Sequence, residues 1–286
     1  MLRLKFLSEN KTEKDDCLAE HGLSIYIETE EATILFDAGQ SDIFALNAKI
    51  VHADLDNVDA VVISHAHFDH TNGIPTFCRA NRHAPIYLHA ESFGERYQSS
   101  NGKPVGKNIG ILWSAEQIAE IRERLVFTDE PVYLTPGIAI SGTMDRSDDF
   151  TPTERFIVQD EDGSFRDDSM AHEQILVIDQ PEGIYIFSGC SHLGVIPAIK
   201  QGQKLFPGRP IAGLIVGMHL YETKAELREM IISEVLKYDM GMIVPLHCTG
   251  IEAICSIKTR MGDRCIIAGA GDTLVAGLRP MLEKNE

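Results

Sequence analysis

Three histidines and one aspartate lie within the six-residue stretch His65-Ala66-His67-Phe68-Asp69-His70. Imidazole nitrogens and carboxylate oxygens are side-chain ligands that zinc, manganese and iron accept. His65 and His67 can point two imidazoles at one ion, while Asp69 and His70 can face a second point nearby. Histidines this dense are poor core material, because each ring would need a buried hydrogen-bond partner. The stretch therefore predicts a metal site, and the density of ligand types disfavours a loop of solvated histidines.

The element that must position this stretch is an apolar run, Ala60 to Ile63, which predicts a buried β-strand. Three later predicted strands, at 184–187, 211–216 and 242–245, also end near reactive side chains. Strands alternating with helices after a β-rich start predict an α/β fold, specifically an αββα sandwich. We expect a single domain over residues 1–286, with an insertion at about 91–170 that walls the active site.

The length, composition and charge of the chain limit the kinds of protein it can be. The chain has 286 residues, 44% of them hydrophobic and 24% charged, which is ordinary for a globular enzyme. No apolar run approaches about 18 residues, so no membrane span is expected. The first residues are too short and too charged a segment for a signal peptide. Six cysteines without a CxxC pair predict a reducing cytoplasm, and a net charge of −17 argues against nucleic acid as a partner.

The stretch at 65–70 resembles the HxHxDH motif of the metallo-β-lactamase superfamily. Four further segments resemble one branch of it, the 7,8-dihydropterin-6-methyl-4-(β-D-ribofuranosyl)aminobenzene-5′-phosphate synthase-like proteins. These segments are LFDAGQ at 35–40, SGCSH at 188–192, GMHL at 217–220 and PLHCTG at 245–250. The resemblance covers most of the chain and implies a four-layer αββα metallo-β-lactamase sandwich.

The resemblance also implies two metal sites formed by strand-end loops. It assigns His65 and His67 to the first site, and Asp69, His70 and His247 to the second. Asp37, which follows a predicted strand, is implied to orient a metal-bound histidine, and a turn-forming role is the alternative. We expect one or two divalent ions, zinc foremost, with manganese or iron as alternatives.

The middle ligands depart from the superfamily pattern. The usual HTxGH segment is replaced by DDSMAHE at 167–173, and the usual bridging aspartate by Cys190. His192 is the favoured third imidazole, because a strand end leading into a helix is typical of the other ligand loops. Asp168 or His172 is the alternative. Cys190 is either a thiolate ligand, which would select zinc, or an inert buried thiol.

Two further features bear on the substrate. His219 ends a predicted strand, so it is a candidate for substrate binding or proton transfer, with a structural role as the alternative. Predicted helices start just after His192 and at Thr249, and helix N-termini carry unpaired N–H groups that hold a phosphate or carboxylate. We therefore expect a small anionic substrate, unless these are ordinary α/β loops.

The sequence thus predicts a metal-dependent hydrolase that acts on a small anionic, phosphorylated substrate through metal-activated water. Asp69 is expected to serve both as a ligand and as a catalytic proton acceptor. The resemblance also implies a dihydropterin or ribofuranosyl-aminobenzene-phosphate synthase-like enzyme. The alternative is a non-catalytic metal-binding or sensing protein that has lost the bridging carboxylate. Di-iron redox chemistry, known elsewhere in the superfamily, is disfavoured because Cys190 replaces that carboxylate.

Overall fold

The computed structural model describes residues 2–146, 154–160, 162–277 and 280–283. Within these residues the chain forms eighteen strands and seven α-helices, and none of the helices is long and apolar enough to cross a membrane. The strands are β1 (Leu2–Ser8), β2 (Ser24–Glu28), β3 (Thr33–Phe36), β4 (Ala60–Val62), β5 (Ile86–His89), β6 (Arg96–Ser100), β7 (Lys103–Val105), β8 (Leu125–Thr128), β9 (Val132–Thr135), β10 (Ile138–Ile140), β11 (Phe156–Gln159), β12 (Phe165–Asp167), β13 (Leu176–Gln180), β14 (Gly183–Ser188), β15 (Ile211–Gly217), β16 (Met240–Leu246), β17 (Thr273–Ala276) and β18 (Met281–Leu282). The helices are α1 (Ile43–Ile50), α2 (Phe68–Thr71), α3 (Ile74–Ala80), α4 (Ala115–Ile121), α5 (Val195–Leu205), α6 (Ala225–Val235) and α7 (Ile251–Met261).

Two mixed sheets carry the fold. The described strands of the first sheet are ordered β18-β17-β1-β2-β3-β4-β5-β8, antiparallel from β18 to β3 and parallel from β3 to β8. Those of the second are ordered β16-β15-β14-β13-β10-β9, with β14, β15 and β16 parallel. The carboxyl ends of neighbouring parallel strands meet at one edge of a sheet, so the loops that follow them are brought together.

The two sheets pack face to face across an apolar layer. This layer includes Phe36 of β3 and Phe187 of β14, whose ring centroids lie 6.0 Å apart. Helices α1 and α3 cover the outer face of the first sheet through side chains such as Phe77. Helices α5, α6 and α7 cover the outer face of the second through side chains such as Ile232 and Ile257. The predicted four-layer αββα sandwich is therefore confirmed.

The predicted insertion at 91–170 contains two kinds of structure. Strand β8 extends the first sheet, and β9 and β10 extend the second, so these strands belong to the sandwich itself. Strands β6, β7, β11 and β12 form a separate small sheet, in the order β12-β11-β6-β7. Residues 147–153 and 161 of the predicted insertion lie outside the described residues. Within the described part of the insertion, the small sheet is the part that can wall a site.

The start of α7 differs from the sequence prediction. The pattern Thr249-x-x-Glu252 predicts that Thr249 caps this helix, but the helix begins after Gly250 and has no side-chain cap. The hydroxyl of Thr249 instead accepts from the Met218 N–H at 3.1 Å and lies 3.3 Å from the Val216 carbonyl, to which it donates. Thr249 therefore ties the loop after β16 to the loop after β15.

The apolar run from Cys265 to Ala268 predicts a strand from the sequence, but these residues form none in the structure. Cys265 forms only an isolated bridge with Ile243 of β16, and the Ile266 N–H donates to the Ile243 carbonyl at 2.9 Å. The segment is apolar because it packs beside β16, with Cys265 and Ala268 fully buried. Burial beside a sheet and pairing within it produce the same apolar pattern, which explains the wrong prediction.

We expect Phe187→Ala to lower the free energy of unfolding by about 3–5 kcal/mol, because the ring is fully buried between the sheets and its loss leaves a cavity. Urea unfolding followed by circular dichroism measures the difference from the wild type. The matched control is Phe127→Ala on β8, which is 52% exposed and should cost less than about 1 kcal/mol. Equal losses in the two variants would contradict the central position of Phe187.

Candidate metal centre

The predicted site residues gather where the parallel strands end. In the first sheet, Asp37 follows β3 and residues 64–70 follow β4. In the second, residues 189–192, His219 and His247 follow β14, β15 and β16. Four of these strand-end residues have a left-handed backbone, with φ of 57° at Asp37, 54° at Ser191, 48° at His219 and 49° at His247. This conformation is uncommon for residues with a side chain, and its repetition here marks a site where the chain must turn sharply.

His65, His67 and His192 form a first group of imidazoles. Their ring centroids lie 4.7 to 4.9 Å apart. Burial lowers the pKa of all three rings well below the ordinary value, which keeps them neutral. Nε2 of His67 and both ring nitrogens of His192 are buried with no hydrogen-bond partner among the described residues. Neutral imidazoles with unpartnered nitrogens are the donors that zinc accepts, so this group fits a metal ion.

Asp69, His70 and His247 form a second group. Asp69 Oδ2 lies 3.2 Å from His247 Nε2 and 3.6 Å from His70 Nε2. The half-exposed His21, which the sequence analysis does not select, lies 3.2 Å from the same oxygen through its Nε2. Burial raises the pKa of Asp69, but the neighbouring histidines outweigh burial and lower it well below its ordinary value. An ionised carboxylate among histidine nitrogens is a second set of ligands for a divalent ion.

Cys190 lies between the two groups. Its Sγ is 3.3 Å from His70 Nε2. Ligand atoms of His65 and His192 lie within 4.8 Å of Sγ and of one another, and so do those of His70 and His247. The thiol therefore lies where one atom can contact ions held by either group.

Two glycines allow the ligand loops to approach this closely. A Cβ at Gly189 would lie 2.1 Å from Ser64 Oγ, in the loop after β4. A Cβ at Gly217 would lie 2.0 Å from the Gly189 carbonyl oxygen and 2.9 Å from Cys248 Sγ. Any side chain at either position would push the loops apart, so the glycines of SGCSH and GMHL are needed for close packing.

A buried carboxylate braces the loop after β4. Asp37 Oδ1 accepts from the Ser64 backbone N–H, and Oδ2 accepts from the Ser64 hydroxyl, each at 2.7 Å. The same Oδ2 lies 2.7 Å from His70 Nδ1. Donation from Nδ1 leaves the Nε2 lone pair of His70 facing Cys190 and Asp69. Asp37 therefore lies where the sequence predicts it, against a histidine of the candidate site.

Two further buried carboxylates, which belong to no motif in the sequence, brace other loops. Glu173 accepts from the backbone N–H groups of His192 and Leu193, both at 2.7 Å. Burial raises the pKa of Glu173 to about 7, although the two N–H donors lower it. Glu9 accepts from the His247 N–H at 2.6 Å. Glu9 lies in a segment without a ligand pattern, and Glu173 ends the DDSMAHE segment, in which Asp168 and His172 are the candidate ligands. Nothing in the spacing of either glutamate indicates this role.

His219 faces the first group from the end of β15. Its ring centroid lies 4.5 Å from that of His192, its Nε2 contacts Glu154, and its backbone N–H donates to Cys248 Sγ at 3.2 Å. Burial lowers the pKa of His219, but Cys248 and Glu154 outweigh burial and raise it to about 10. A protonated imidazole at this position can donate a proton to a group bound beside it. Glu154 immediately precedes the small sheet and has no sequence signal of its own.

Asp168 and His172, the alternatives for the third imidazole, lie outside both groups. Asp168 Oδ2 accepts from Arg96 Nε at 3.0 Å and lies 3.4 Å from His172 Nε2. His172 Nδ1 accepts from the Ala66 N–H at 3.1 Å. Both polar groups are therefore engaged elsewhere, and of the three candidates the structure brings His192 to His65 and His67.

Known proteins are similar to this chain over most of its length. Residues 19–194 match the model of the metallo-beta-lactamase superfamily. The chain is 28% identical over 246 residues to the 7,8-dihydropterin-6-methyl-4-(beta-D-ribofuranosyl)-aminobenzene-5'-phosphate synthase of Methanocaldococcus jannaschii, covering 82% of this chain and 83% of that one. Tm1679, described as a metal-dependent hydrolase of the beta-lactamase superfamily, superposes with a TM-score of 0.79 and 26% identity over 97% of this chain and 100% of its own. Zinc-bound PqqB of Methylobacterium extorquens shares the fold, with a TM-score of 0.53 and 12% identity over 96% and 99% of the chains.

We expect His192→Ala to weaken zinc binding at least about tenfold, because it removes one of three imidazoles of the first group. Asp168→Asn should leave zinc affinity unchanged, because this carboxylate pairs with Arg96. Competition with a chromogenic chelator measures the affinity, and circular dichroism confirms that each variant is folded. The reverse result, with Asp168→Asn losing zinc and His192→Ala keeping it, would contradict the grouping.

Proposed function

Because the chain belongs to the metallo-β-lactamase superfamily, we propose that it is a metal-dependent hydrolase of a small anionic, phosphorylated substrate. The observation that carries the proposal is the position of Cys190 Sγ, within reach of ligand nitrogens from both groups. A thiolate there can take the place of the missing bridging aspartate, so the departure from the superfamily pattern is compatible with two ions.

The two groups would divide the ligands between two ions. The proposed ligands of the first ion are His65, His67 and His192, and those of the second are Asp69, His70 and His247. Cys190 is the proposed shared ligand, and a soft thiolate favours zinc over manganese. Burial raises the pKa of the Cys190 thiol in the metal-free protein, so binding of an ion there would release a proton.

The chemistry is then divided between the ion and the protein. An ion bound at this centre would lower the pKa of water to about 7 and polarise a substrate oxygen. Asp69 Oδ2, which lies 3.2 Å from His247 Nε2, would accept a proton from the attacking water. His219, whose Nε2 contacts Glu154, would donate a proton to the leaving oxygen through Nδ1, which has no hydrogen-bond partner among the described residues. Phe156 of the small sheet covers the rings of His67 and His192, with centroids 4.8 and 4.9 Å away, and excludes bulk water on that side.

The anionic character of the substrate is supported by two helix starts. Helix α5 begins at Val195, three residues after His192, and α7 begins at Ile251, four residues after His247. Neither start has a side-chain cap among the described residues. Uncapped helix N-termini leave N–H groups available to an anion and attract it through the helix dipole. In a chain of net charge −17, these N–H groups would hold an anionic substrate in place of basic side chains.

A synthase is the second candidate for the same site. It is favoured by the 28% identity, over 82% of this chain, to the synthase of Methanocaldococcus jannaschii. The alternative of a non-catalytic metal-binding or sensing protein shares this metal centre, because the first group keeps three buried imidazole nitrogens unpartnered, and turnover is what separates it from an enzyme. Such atoms are unfavourable in a folded protein that does not use them.

We also propose a cytoplasmic location and no nucleic-acid partner. All six cysteines are free thiols, which suits a reducing compartment. The net charge of −17 disfavours contact with a phosphate backbone.

Elemental analysis of the purified protein, paired with a panel of a phosphomonoester, a phosphodiester and a lactone, tests the proposed function. We expect two zinc ions per chain and turnover of a phosphoester. Activity should disappear on treatment with a chelator and return with added zinc. One ion or none, with no turnover on any member of the panel, would favour the non-catalytic alternative.

We expect His219→Ala to lower kcat by about 10²–10⁴-fold for an alkyl phosphoester, because the leaving oxygen loses its proton donor. The loss should be much smaller for a 4-nitrophenyl ester, whose leaving group needs no proton. Zinc content should not change. His83→Ala, a change of an exposed histidine away from the site, is the matched control. An equal loss on both esters would show that His219 acts in another way.

A further inference from the structure

The cavity that holds the metal ligands is small. It measures about 80 Å³ and is lined by ligands of both groups together with Phe156 and Glu154. An apolar cavity of about 150 Å³ is the size that holds one benzene ring. The space at the metal centre is therefore smaller than one benzene ring needs, and a substrate larger than its reactive group must extend beyond it.

A second cavity of about 300 Å³ adjoins the first. We call it the α7 pocket, defined by Lys11, Tyr221, His247, Gly250, Ile251 and Ile254. The two cavities share four lining residues, namely His21, Tyr221, His247 and Cys248. A molecule whose reactive group lies at the metal centre can thus extend directly into the α7 pocket.

The wall of the α7 pocket is largely apolar. Ile251 at the start of α7 is 67% exposed, and Tyr221 is 44% exposed. Ile254, one turn further along α7, is buried and also lines the cavity. Single exposed apolar residues are common, but here an isoleucine and a tyrosine meet around one cavity beside the candidate site. Such a concave apolar surface next to a few polar groups is typical of a ligand site.

The polar residues of the α7 pocket are mostly engaged. Glu9 accepts from the His247 N–H, and Lys11 Nζ lies 3.1 Å from Glu9 Oε1. Asn10 Oδ1 lies 2.8 Å from His247 Nδ1. These groups position His247 and leave the isoleucines and the tyrosine as the surface available to a ligand.

We propose that the α7 pocket binds an aromatic ring of the substrate while the anionic group attached to that ring lies at the metal centre. The inference rests on the proposed function, and it adds the class of substrate: an aryl compound joined to a phosphoryl group through a short link. The ring packs on Ile251 and Ile254 and meets the ring of Tyr221 edge-on or offset. A phosphate on a small aliphatic group leaves the α7 pocket empty and binds weakly.

Calorimetric titration of the zinc-loaded protein with three phosphonates, which cannot be hydrolysed, tests this proposal. The probes are methylphosphonate, phenylphosphonate and 2-naphthylmethylphosphonate, which share a head group and differ in their apolar part. We expect the naphthyl compound to bind at least about tenfold more tightly than methylphosphonate, because its ring is removed from water.

Ile251→Ser is the variant that locates the ring. It should weaken the binding of the naphthyl compound about fivefold and leave the affinity for methylphosphonate unchanged. Met230→Ser, on α6 and 49% exposed, is the matched control and should change neither affinity. Two results would overturn the aryl subsite while the hydrolase proposal stands. In the first, methylphosphonate binds but the naphthyl compound binds no more tightly. In the second, Ile251→Ser does not change the affinity for the naphthyl compound. If no phosphonate binds, the anionic-substrate proposal fails and the subsite fails with it.

Discussion

Buried histidine nitrogens without hydrogen bonds are the constraint on which this structure depends. Nε2 of His67 and both nitrogens of His192 are in this state, and each unsatisfied group costs about 1–3 kcal/mol. Within the first group, His65 Nε2 lies 3.1 Å from His67 Nδ1, but no hydrogen bond holds the ring of His192. The position of His192 must therefore be imposed from outside the cluster, through the backbone of the loop that carries it.

Three buried carboxylates hold the loops that carry the candidate ligands. Asp37 accepts from the loop after β4, Glu173 from the loop after β14, and Glu9 from the loop after β16. Asp37 and Glu9 directly follow β3 and β1, and Glu173 lies shortly before β13, so all three are tied to the sandwich. The sheets position the three carboxylates, the carboxylates hold the backbones of the loops, and the loops position the ligands. A charge-assisted hydrogen bond to a backbone N–H is strong enough to fix a loop in this way.

The sequence predicts the parts of this arrangement that are local. The stretch at 65–70 places four candidate ligands, three histidines and one aspartate, within six residues, and Asp37 and His247 each follow an apolar strand. The sequence does not reveal the roles of Glu9 and Glu173, because each acts on a loop outside its own segment, at a sequence separation of 238 from Glu9 to His247 and of 19 from Glu173 to His192. Thr249 is misjudged for the same reason: its sequence pattern predicts a cap, whereas contacts with the loop after β15 take up its hydroxyl. The choice between His192 and Asp168 likewise needs Arg96, which the fold brings to Asp168.

The unpartnered nitrogens would also make a bound divalent ion a stabilising ligand of the folded chain. Only the folded state assembles both groups, so an ion that binds them would shift the folding equilibrium by mass action. At a free ion concentration about 1,000-fold above its dissociation constant, that shift would be worth about 4 kcal/mol, a large share of the 5–15 kcal/mol that holds a typical domain together. The amount of folded protein would then be coupled to the supply of metal, independently of turnover.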